Sequence, residues 1–225
     1  MEPHEVWQAL LPPGDEGPLD SLTYAAALPD GRRIVLPIRE LPGREGQGVA
    51  SLILNQASFA VLDALAEALT GPVRAEAPDV VVGVPTLGLP LAEGLARRLG
   101  HGRMVPLSNS RKFWYDDDLS QPIGSITTPD QEKRVWLDPR VAPLLRDRRV
   151  LLVDDVLSSG RSVRAVLRLL AAAGVRPVGI ACAMLQGQGW RPVLDHEAPG
   201  VPVLAAIRTP LLECRDGHWR PQAGA

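Results

Sequence analysis

Two adjacent carboxylates, Asp154 and Asp155, follow an apolar run and precede a loop rich in hydroxyl groups. The run at residues 150–153 predicts a strand that is buried on both faces. The loop Ser158-Ser159-Gly160-Arg161-Ser162 leads into apolar residues at helical spacing between 163 and 173. A loop that enters a helix presents unpaired N–H groups and the positive end of the helix dipole, a combination that binds phosphate. We therefore expect a phosphate site beside two carboxylates that can hold ribose hydroxyls or a hydrated magnesium ion.

An acidic pair after a buried strand also occurs in other nucleotide-binding proteins, so two further motifs have to be considered. The sequence contains no Gly-x-x-x-x-Gly-Lys-Ser/Thr loop. Gly46-Gln47-Gly48 and Gly187-Gln188-Gly189 both lack the third glycine of a dinucleotide-binding Gly-x-Gly-x-x-Gly turn. The remaining alternative is a purely structural role, in which Ser158 or Ser159 only caps the helix.

The string Val-Leu-Leu-Val-Asp-Asp-Val-Leu-Ser-Ser-Gly-Arg-Ser at 150–162 resembles the phosphoribosyl pyrophosphate (PRPP) signature of type I phosphoribosyltransferases. That signature has four apolar residues, two acidic residues, two apolar residues, a variable residue, Thr-Gly, a variable residue and Thr. Ser159 and Ser162 stand where the family usually has threonine, and both retain the hydroxyl group. The resemblance implies that residues 158–162 bind the 5-phosphate of PRPP. It also implies that Asp154 and Asp155 bind its ribose, take part in catalysis and hold Mg²⁺ through water.

A second phosphate loop is implied at Pro85-Thr86-Leu87-Gly88, between a predicted strand at 79–84 and a predicted helix at 89–99. In the family this loop holds pyrophosphate and contains a non-proline cis peptide bond, which would fall near Pro85-Thr86 here. The N–H groups at the start of the following helix favour the same role. Because strand ends of a parallel sheet meet at one edge, we expect this loop to lie beside the acidic pair.

The resemblance is to the adenine phosphoribosyltransferase branch in particular. Arg111 and Lys112 follow the third predicted strand, at 103–107, as an Arg-Lys pair does in that branch. They are assigned to catalysis and to pyrophosphate, which arginine binds through two N–H groups and lysine as a point charge. Leu87 departs from the branch, which has arginine there, and Glu132 is the candidate for its catalytic glutamate.

Alternating strand and helix patterns predict an α/β fold with a parallel twisted sheet flanked by helices. We expect one phosphoribosyltransferase domain over 1–225. It has a core at about 50–185, and 1–49 and 186–225 form a small hood. Residues 108–131 have little regular pattern, and an irregular segment of this length is often a lid. Smaller elements are predicted as a short helix near 6–10, a hairpin across Pro29-Asp30-Gly31, a helix at 50–69, loops at 39–48 and 186–200, and a terminal hairpin.

Composition limits the class of protein further. The formal charge is −2, from 24 basic and 26 acidic residues, which does not favour a nucleic-acid partner. No apolar run reaches the length of a membrane span, and the first residues do not resemble a signal peptide. Two cysteines without metal-ligand spacing and four scattered histidines indicate a reduced, cytoplasmic chain without a zinc site.

The resemblance therefore implies a magnesium-dependent enzyme of nucleotide salvage. It would transfer the 5-phosphoribosyl group of PRPP to a purine or purine-like base and release pyrophosphate. A homodimer is implied as well. Two alternatives stay open: a PRPP-binding regulator without catalysis, and a phosphoribosyltransferase for a non-purine acceptor. Trp114 and Tyr115 in the lid could stack on the base, pack against the open lid or lie at a subunit contact.

Overall fold

A computed structural model of the protein describes residues 3–17, 22–123 and 133–222. The helices are α1 (Phe59–Ala75), α2 (Leu89–Arg98), α3 (Arg161–Ala172) and α4 (Arg191–Glu197). The strands before α3 are β1 (Leu10–Leu11), β2 (Thr23–Ala27), β3 (Arg33–Leu41), β4 (Arg44–Ala50), β5 (Val80–Gly83), β6 (Val105–Pro106), β7 (Ser120–Ile123), β8 (Lys133–Trp136) and β9 (Val150–Leu157). Those after it are β10 (Pro177–Gln186), β11 (Val203–Thr209), β12 (Leu211–Arg215) and β13 (His218–Pro221).

A five-stranded parallel sheet in the order β11-β10-β9-β5-β6 forms the centre of the fold. Its central strand β9 is apolar on both faces because side chains alternate between the two sides of a strand. Leu151 and Val153 pack into a core with α1 and α2, whereas Val150 and Leu152 pack into a second core with α3 and α4. The predicted α/β fold with a parallel sheet flanked by helices is confirmed.

The hood is a six-stranded antiparallel sheet in which β1, β3, β4, β12 and β13 follow one another and β2 pairs with the other side of β3. The predicted hairpins around Asp30-Gly31 and Asp216-Gly217 are both part of it. β12 pairs with β4, so the C-terminal hairpin extends the N-terminal strands. The side-chain Nε2 of Gln186 also donates to the Ala50 carbonyl at 2.8 Å, which connects the parallel sheet with the hood.

The C-terminal boundary of the hood differs from the predicted one at residue 186. Residues 203–209 form β11, which pairs with β10 in the parallel sheet, so the hood's C-terminal part begins at Leu211. Within the predicted loop at 186–200, α4 forms because Val193 and Leu194 are buried against the second core. Local sequence did not show this helix, since prolines at its first turn and just after its end mimic loop composition.

Three smaller predictions in the N-terminal half were wrong. Residues 10–11 form a strand rather than part of a helix, and the predicted loop at 39–48 is mostly the β3–β4 hairpin. Helix α1 begins at Phe59, after Ser58, whose Oγ accepts a hydrogen bond from the N–H of Val61 at 3.2 Å. It also continues past Pro72 to Ala75, because a proline in the last turn removes only one hydrogen bond while Val73 is fully buried.

Residues 108–123 of the predicted lid lie within the described residues. Residues 117–119 form a 3₁₀ turn, and β7 pairs with β8 in a two-stranded antiparallel hairpin. Trp136 at the end of β8 exchanges backbone hydrogen bonds with Ser108, each at 2.9 Å, which anchors the hairpin beside β6. Within the described residues, no helix is long and apolar enough to cross a membrane.

Candidate active site

The acidic pair lies inside β9 rather than after it, since the strand runs on to Leu157. Strand β10 continues alongside as far as Leu185 and pairs Cys182 with Asp154, which keeps the backbone extended through both acidic residues. On the other side, β5 ends at Gly83, opposite Val153, and the N–H of Val84 donates to the Val153 carbonyl at 2.9 Å. The loop after β5 therefore starts directly beside the carboxylates.

The electrostatics of the pair follow from its burial. Asp154 is only 4% exposed, and its Oδ1 accepts a hydrogen bond from the N–H of Asp155 at 2.8 Å. Burial raises the pKa of the Asp154 carboxyl well above its ordinary value, and the neighbouring Asp155 carboxylate raises it further. Burial also raises the pKa of Asp155, while hydrogen bonds from Asp154 and the N–H of Val156 oppose that shift. A cation or hydroxyl donors bound at the pair would offset the cost of burying its charge.

The loop at Pro85-Thr86-Leu87-Gly88 rests against the backbone of the acidic pair. A Cβ atom at Gly88 would lie 2.8 Å from Asp154 Cα, 2.8 Å from the Val84 carbonyl oxygen and 3.1 Å from the Val153 carbonyl oxygen. Only a residue without a side chain permits this approach. The peptide bond between Pro85 and Thr86 is cis, as the resemblance implied.

A cavity of about 330 Å³ lies between this loop, the acidic pair and the lid hairpin. The loop contributes Pro85, Thr86 and Leu87, and β9 contributes both carboxylates. The other lining residues are Val84, Asn109, Ile123, Lys133, Val156 and Ser162. Asn109 is connected to the loop, since its Nδ2 donates to Thr86 Oγ1 at 3.3 Å. The cavity thus combines one exposed amine, two carboxylates and several apolar groups.

A second, smaller cavity of about 110 Å³ adjoins the first and is enclosed by residues 156–163, which include the whole predicted 5-phosphate loop. Ser162 lines both cavities. Gly160 has a φ of +77° and precedes the first turn of α3, whose early N–H groups are available to a ligand. A Cβ at Gly160 would lie 2.9 Å from the Val193 side chain, so α4 holds this turn in place.

The hood reaches the same loop through residues 187–190. A Cβ at Gly189 would lie 3.2 Å from the Ser158 carbonyl oxygen, and one at Gly187 would lie 3.0 Å from Leu211 Cγ. Trp190 is buried and donates from Nε1 to the Gly187 carbonyl at 3.0 Å. The loop at 158–162 and the start of the hood's C-terminal hairpin are therefore packed on one glycine-rich connection, which lies in the predicted loop at 186–200.

Two of the predicted site residues lie outside the cavity. Arg111 Nε lies 3.1 Å from Asp117 Oδ1, and its guanidinium is 5.7 Å from the centre of the Trp136 ring. Lys112 is exposed and does not line the cavity. The structure brings together the other predicted residues, of which Gly88 contributes backbone contact only. Glu132 lies outside the described residues.

Sequence reasoning missed Lys133 and Asn109, which both line the cavity. Lys133 belongs to a predicted strand, but its position depends on the pairing of β8 with β7, which brings Ile123 opposite Lys133. The strand pattern alone does not show which partner a strand has. One signal was available, however: the chain has only two lysines, Lys112 and Lys133, and both lie at the lid.

Comparison with known proteins gives the class to which this arrangement belongs. The family model of the phosphoribosyl transferase domain matches residues 50–204, from the end of β4 into β11. The chain belongs to the phosphoribosyl transferase domain family. This confirms the resemblance to type I phosphoribosyltransferases.

One sequence relative is the "Bifunctional protein PyrR" of Deinococcus radiodurans, 44% identical over 117 residues, which are 49% of this chain and 57% of that protein. The chain thus spans less than two thirds of this relative's length. Among solved structures, adenine phosphoribosyltransferase from Thermoanaerobacter pseudethanolicus has a TM-score of 0.59 at 21% identity, covering 76% of this chain and 95% of that one. Adenine phosphoribosyl transferase from Trypanosoma brucei, in complex with AMP, pyrophosphate and ribose-5-phosphate, has a TM-score of 0.57 at 16% identity, covering 84% and 76%. At such identities the structures establish a common fold.

The contact at Gly88 leads to a first prediction. Gly88→Ala should lower the free energy of unfolding by about 1–3 kcal/mol, because the new methyl group meets backbone atoms that cannot move aside cheaply. Gly71→Ala is the matched control, since nothing lies within 4 Å of its Cβ and alanine favours the interior of α1. Urea unfolding should show the control to be as stable as the wild type or more stable. Equal stability of both variants would contradict the close contact.

The burial of Asp154 leads to a second prediction. Its pKa in the folded protein lies above the ordinary value of 3.8, so its contribution to stability is present at lower pH and is lost as the pH rises through the folded-state pKa. Asp154→Asn should therefore raise the free energy of unfolding at neutral pH and flatten its decline from the acid range upward. Exposed Asp195→Asn is the control for urea unfolding across that range. If both variants had the wild-type pH dependence, the carboxyl would not be buried as described.

Proposed function

We propose that this protein transfers the 5-phosphoribosyl group of PRPP to a ring nitrogen of a nucleobase and releases pyrophosphate. The observation that carries this proposal is the contact between Gly88 and the backbone of Asp154. The contact brings the loop at 85–88 beside the carboxylates, the loop at 158–162 follows them along the chain, and Val156 and Ser162 line both cavities. A molecule with a 5-phosphate, a ribose and a pyrophosphate carries these groups in the same order.

The two cavities support a specific placement of PRPP. The 5-phosphate would enter the small cavity enclosed by residues 156–163 and accept hydrogen bonds from the N–H groups at the start of α3. The ribose hydroxyls would then lie at Asp154 and Asp155, since Ser162 connects this cavity with the larger one. The pyrophosphate would lie against Pro85-Thr86-Leu87-Gly88, before the first turn of α2.

Displacement of pyrophosphate develops positive charge at C1 of the ribose and negative charge on the leaving oxygens. Lys133 lines the cavity and would stabilise the leaving oxygens, together with the N–H groups at the start of α2. The carboxylates of Asp154 and Asp155 would stabilise the cation-like ribose. Apolar Ile123, Leu87 and Val156 would limit the access of water to C1, which water would otherwise attack.

Asp154 and Asp155 fit magnesium if water and substrate oxygens supply its other ligands. Carboxylate oxygens are suitable ligands for this ion, but in the described part of the chain no cluster of three or more acidic, histidine or cysteine side chains could enclose a metal. Mg²⁺ retains several waters and usually takes one or two carboxylates plus substrate oxygens, which matches Asp154 and Asp155. When bound, the ion would supply positive charge to the pyrophosphate oxygens.

The acceptor we propose is a purine or purine-like base. The resemblance of Arg111-Lys112 to the adenine branch supports it, and both solved structures named above are adenine phosphoribosyltransferases. Leu87 stands where that branch has arginine, so a non-purine base belongs in the same test. A homodimer remains a prediction from the family resemblance.

A second candidate function is PRPP binding for regulation without turnover. One observation favours it. Neither Arg111 nor Lys112 lines the cavity, so the leaving group would have fewer cationic contacts than the resemblance implied.

A third prediction tests the proposed function. The protein should release pyrophosphate from PRPP in the presence of Mg²⁺ and one base from a panel of adenine, guanine, hypoxanthine, uracil and orotate. Asp155→Asn and Asp154→Asn should each reduce turnover by about a hundredfold or more, because each removes charge that stabilises the transition state. Asp195→Asn, which is exposed on α4, should retain wild-type turnover.

The two functions are separated by calorimetry with PRPP and Mg²⁺. PRPP binding without turnover on any base would overturn the transferase and support the regulator. If PRPP does not bind, both functions are wrong. Asp154→Asn also serves as its own folding control, since it should lose turnover while gaining stability.

A fourth prediction concerns Lys133. The two lysines can be followed separately by mass spectrometry after acetylation with a lysine-directed reagent. PRPP with Mg²⁺ should slow acetylation of Lys133, because the cavity it lines would be filled. Lys133→Ala should weaken pyrophosphate binding about tenfold, as expected for a lost hydrogen bond between charged groups, and Lys133→Arg should retain most of the affinity. Acetylation of Lys133 at an unchanged rate would exclude it from the site.

A further inference from the structure

Arg111 is held by an acidic side chain of its own loop. Its Nε lies 3.1 Å from Asp117 Oδ1, and its Nη2 donates to Asp117 Oδ2 at 3.3 Å. The two N–H groups thus face the two oxygens of one carboxylate, the geometry in which arginine also binds phosphate. The cation-π contact with Trp136 occupies a face of the same guanidinium. In this arrangement Arg111 is outside the cavity.

Hydrogen bonds and a cation-π contact fix the rest of the loop, which keeps Asp117 close to Arg111. Asp117 offers its backbone carbonyl to the hydroxyl of Ser120 at 2.8 Å, and Ser120 is buried. Trp114 donates from Nε1 to Asp138 Oδ2 at 3.2 Å, and the Arg140 guanidinium lies 4.3 Å from the centre of its ring. Arg140 also lowers the pKa of Asp138 to about 2, so this carboxylate stays charged. The loop between Trp114 and Ser120 is therefore anchored at both ends.

We propose that Asp117 is a positioning residue that holds Arg111 outside the site and competes with the pyrophosphate group of the substrate for the guanidinium. This inference rests on the proposed function, since it requires that Arg111 contact pyrophosphate in the bound state. Substrate binding then exchanges one bidentate anion for another. The exchange makes the affinity for pyrophosphate depend on Asp117, although Asp117 never contacts the substrate.

The effect has a predictable size because both side chains are exposed, Arg111 at 54% and Asp117 at 71%. Exposed ion pairs contribute up to about 1 kcal/mol, which corresponds to about fivefold in a binding constant. The competition therefore adjusts affinity and does not block binding. Higher ionic strength should reduce the difference, since salt screens exposed pairs.

Asp118 provides a matched control. It neighbours Asp117, is exposed and carries the same charge, but within the described residues its carboxylate forms no ion pair, and only its N–H bonds to Asp116 Oδ1. Asp117→Asn should tighten the binding of pyrophosphate with Mg²⁺, measured by calorimetry, by up to about fivefold. Asp118→Asn should leave the affinity near that of the wild type. In turnover assays Asp117→Asn should lower KM for PRPP by the same factor with kcat unchanged.

The Arg111→Ala background completes the test. There, Asp117→Asn should have no effect on pyrophosphate affinity, because no guanidinium remains to be released. Equal tightening in Asp117→Asn and Asp118→Asn would show a general charge effect and overturn the proposal, as would an effect of Asp117→Asn that persists with Arg111→Ala. If pyrophosphate binds and turnover occurs but Asp117→Asn changes neither, the positioning role fails while the proposed function stands. Absence of any PRPP or pyrophosphate binding would overturn the function itself.

Discussion

The contact between a loop glycine and the backbone of the central strand is the constraint on which the proposed site depends. Gly88 approaches Asp154 so closely that no side chain fits between them. The approach brings the loop after β5 against the backbone of the acidic pair. Asp154 is buried there, which raises the pKa of its carboxyl and leaves its charge in need of a partner. The cavity beside it has carboxylates on one wall and the loop that leads into α2 on another.

The central strand can hold the acidic pair because the rest of β9 is apolar on both faces. Leu151 and Val153 bind it to the α1 and α2 side, and Val150 and Leu152 bind it to the α3 and α4 side. Partners on both edges, β10 and β5, supply backbone hydrogen bonds up to the acidic residues. The apolar part of the strand thus offsets the unfavourable burial of two neighbouring carboxyls, and a bound cation or hydroxyl donor would offset it further.

The lid is the region in which charged side chains decide the conformation. Arg111, Arg134 and Arg140 each lie over a tryptophan ring, and Arg111 and Arg140 are also paired with aspartates. The Arg111–Asp117 pair is exposed and therefore individually weak, so it is suited to being exchanged for contacts with a charged substrate. Lys133, by contrast, already lies at the cavity in this arrangement.

The sequence by itself determined the parallel sheet, the acidic pair and both helix-entry loops, because buried strands and glycine turns leave local patterns that do not depend on distant residues. It could not determine α4, the pairing of β7 with β8, or the pairing of β12 with β4, since these depend on contacts outside each segment. For the same reason it overlooked Lys133 and did not show that Arg111 pairs with Asp117. Tertiary contacts decide which cationic side chain lies at the cavity. In this structure Lys133 lines it, whereas Arg111 is paired with Asp117, six residues along the chain.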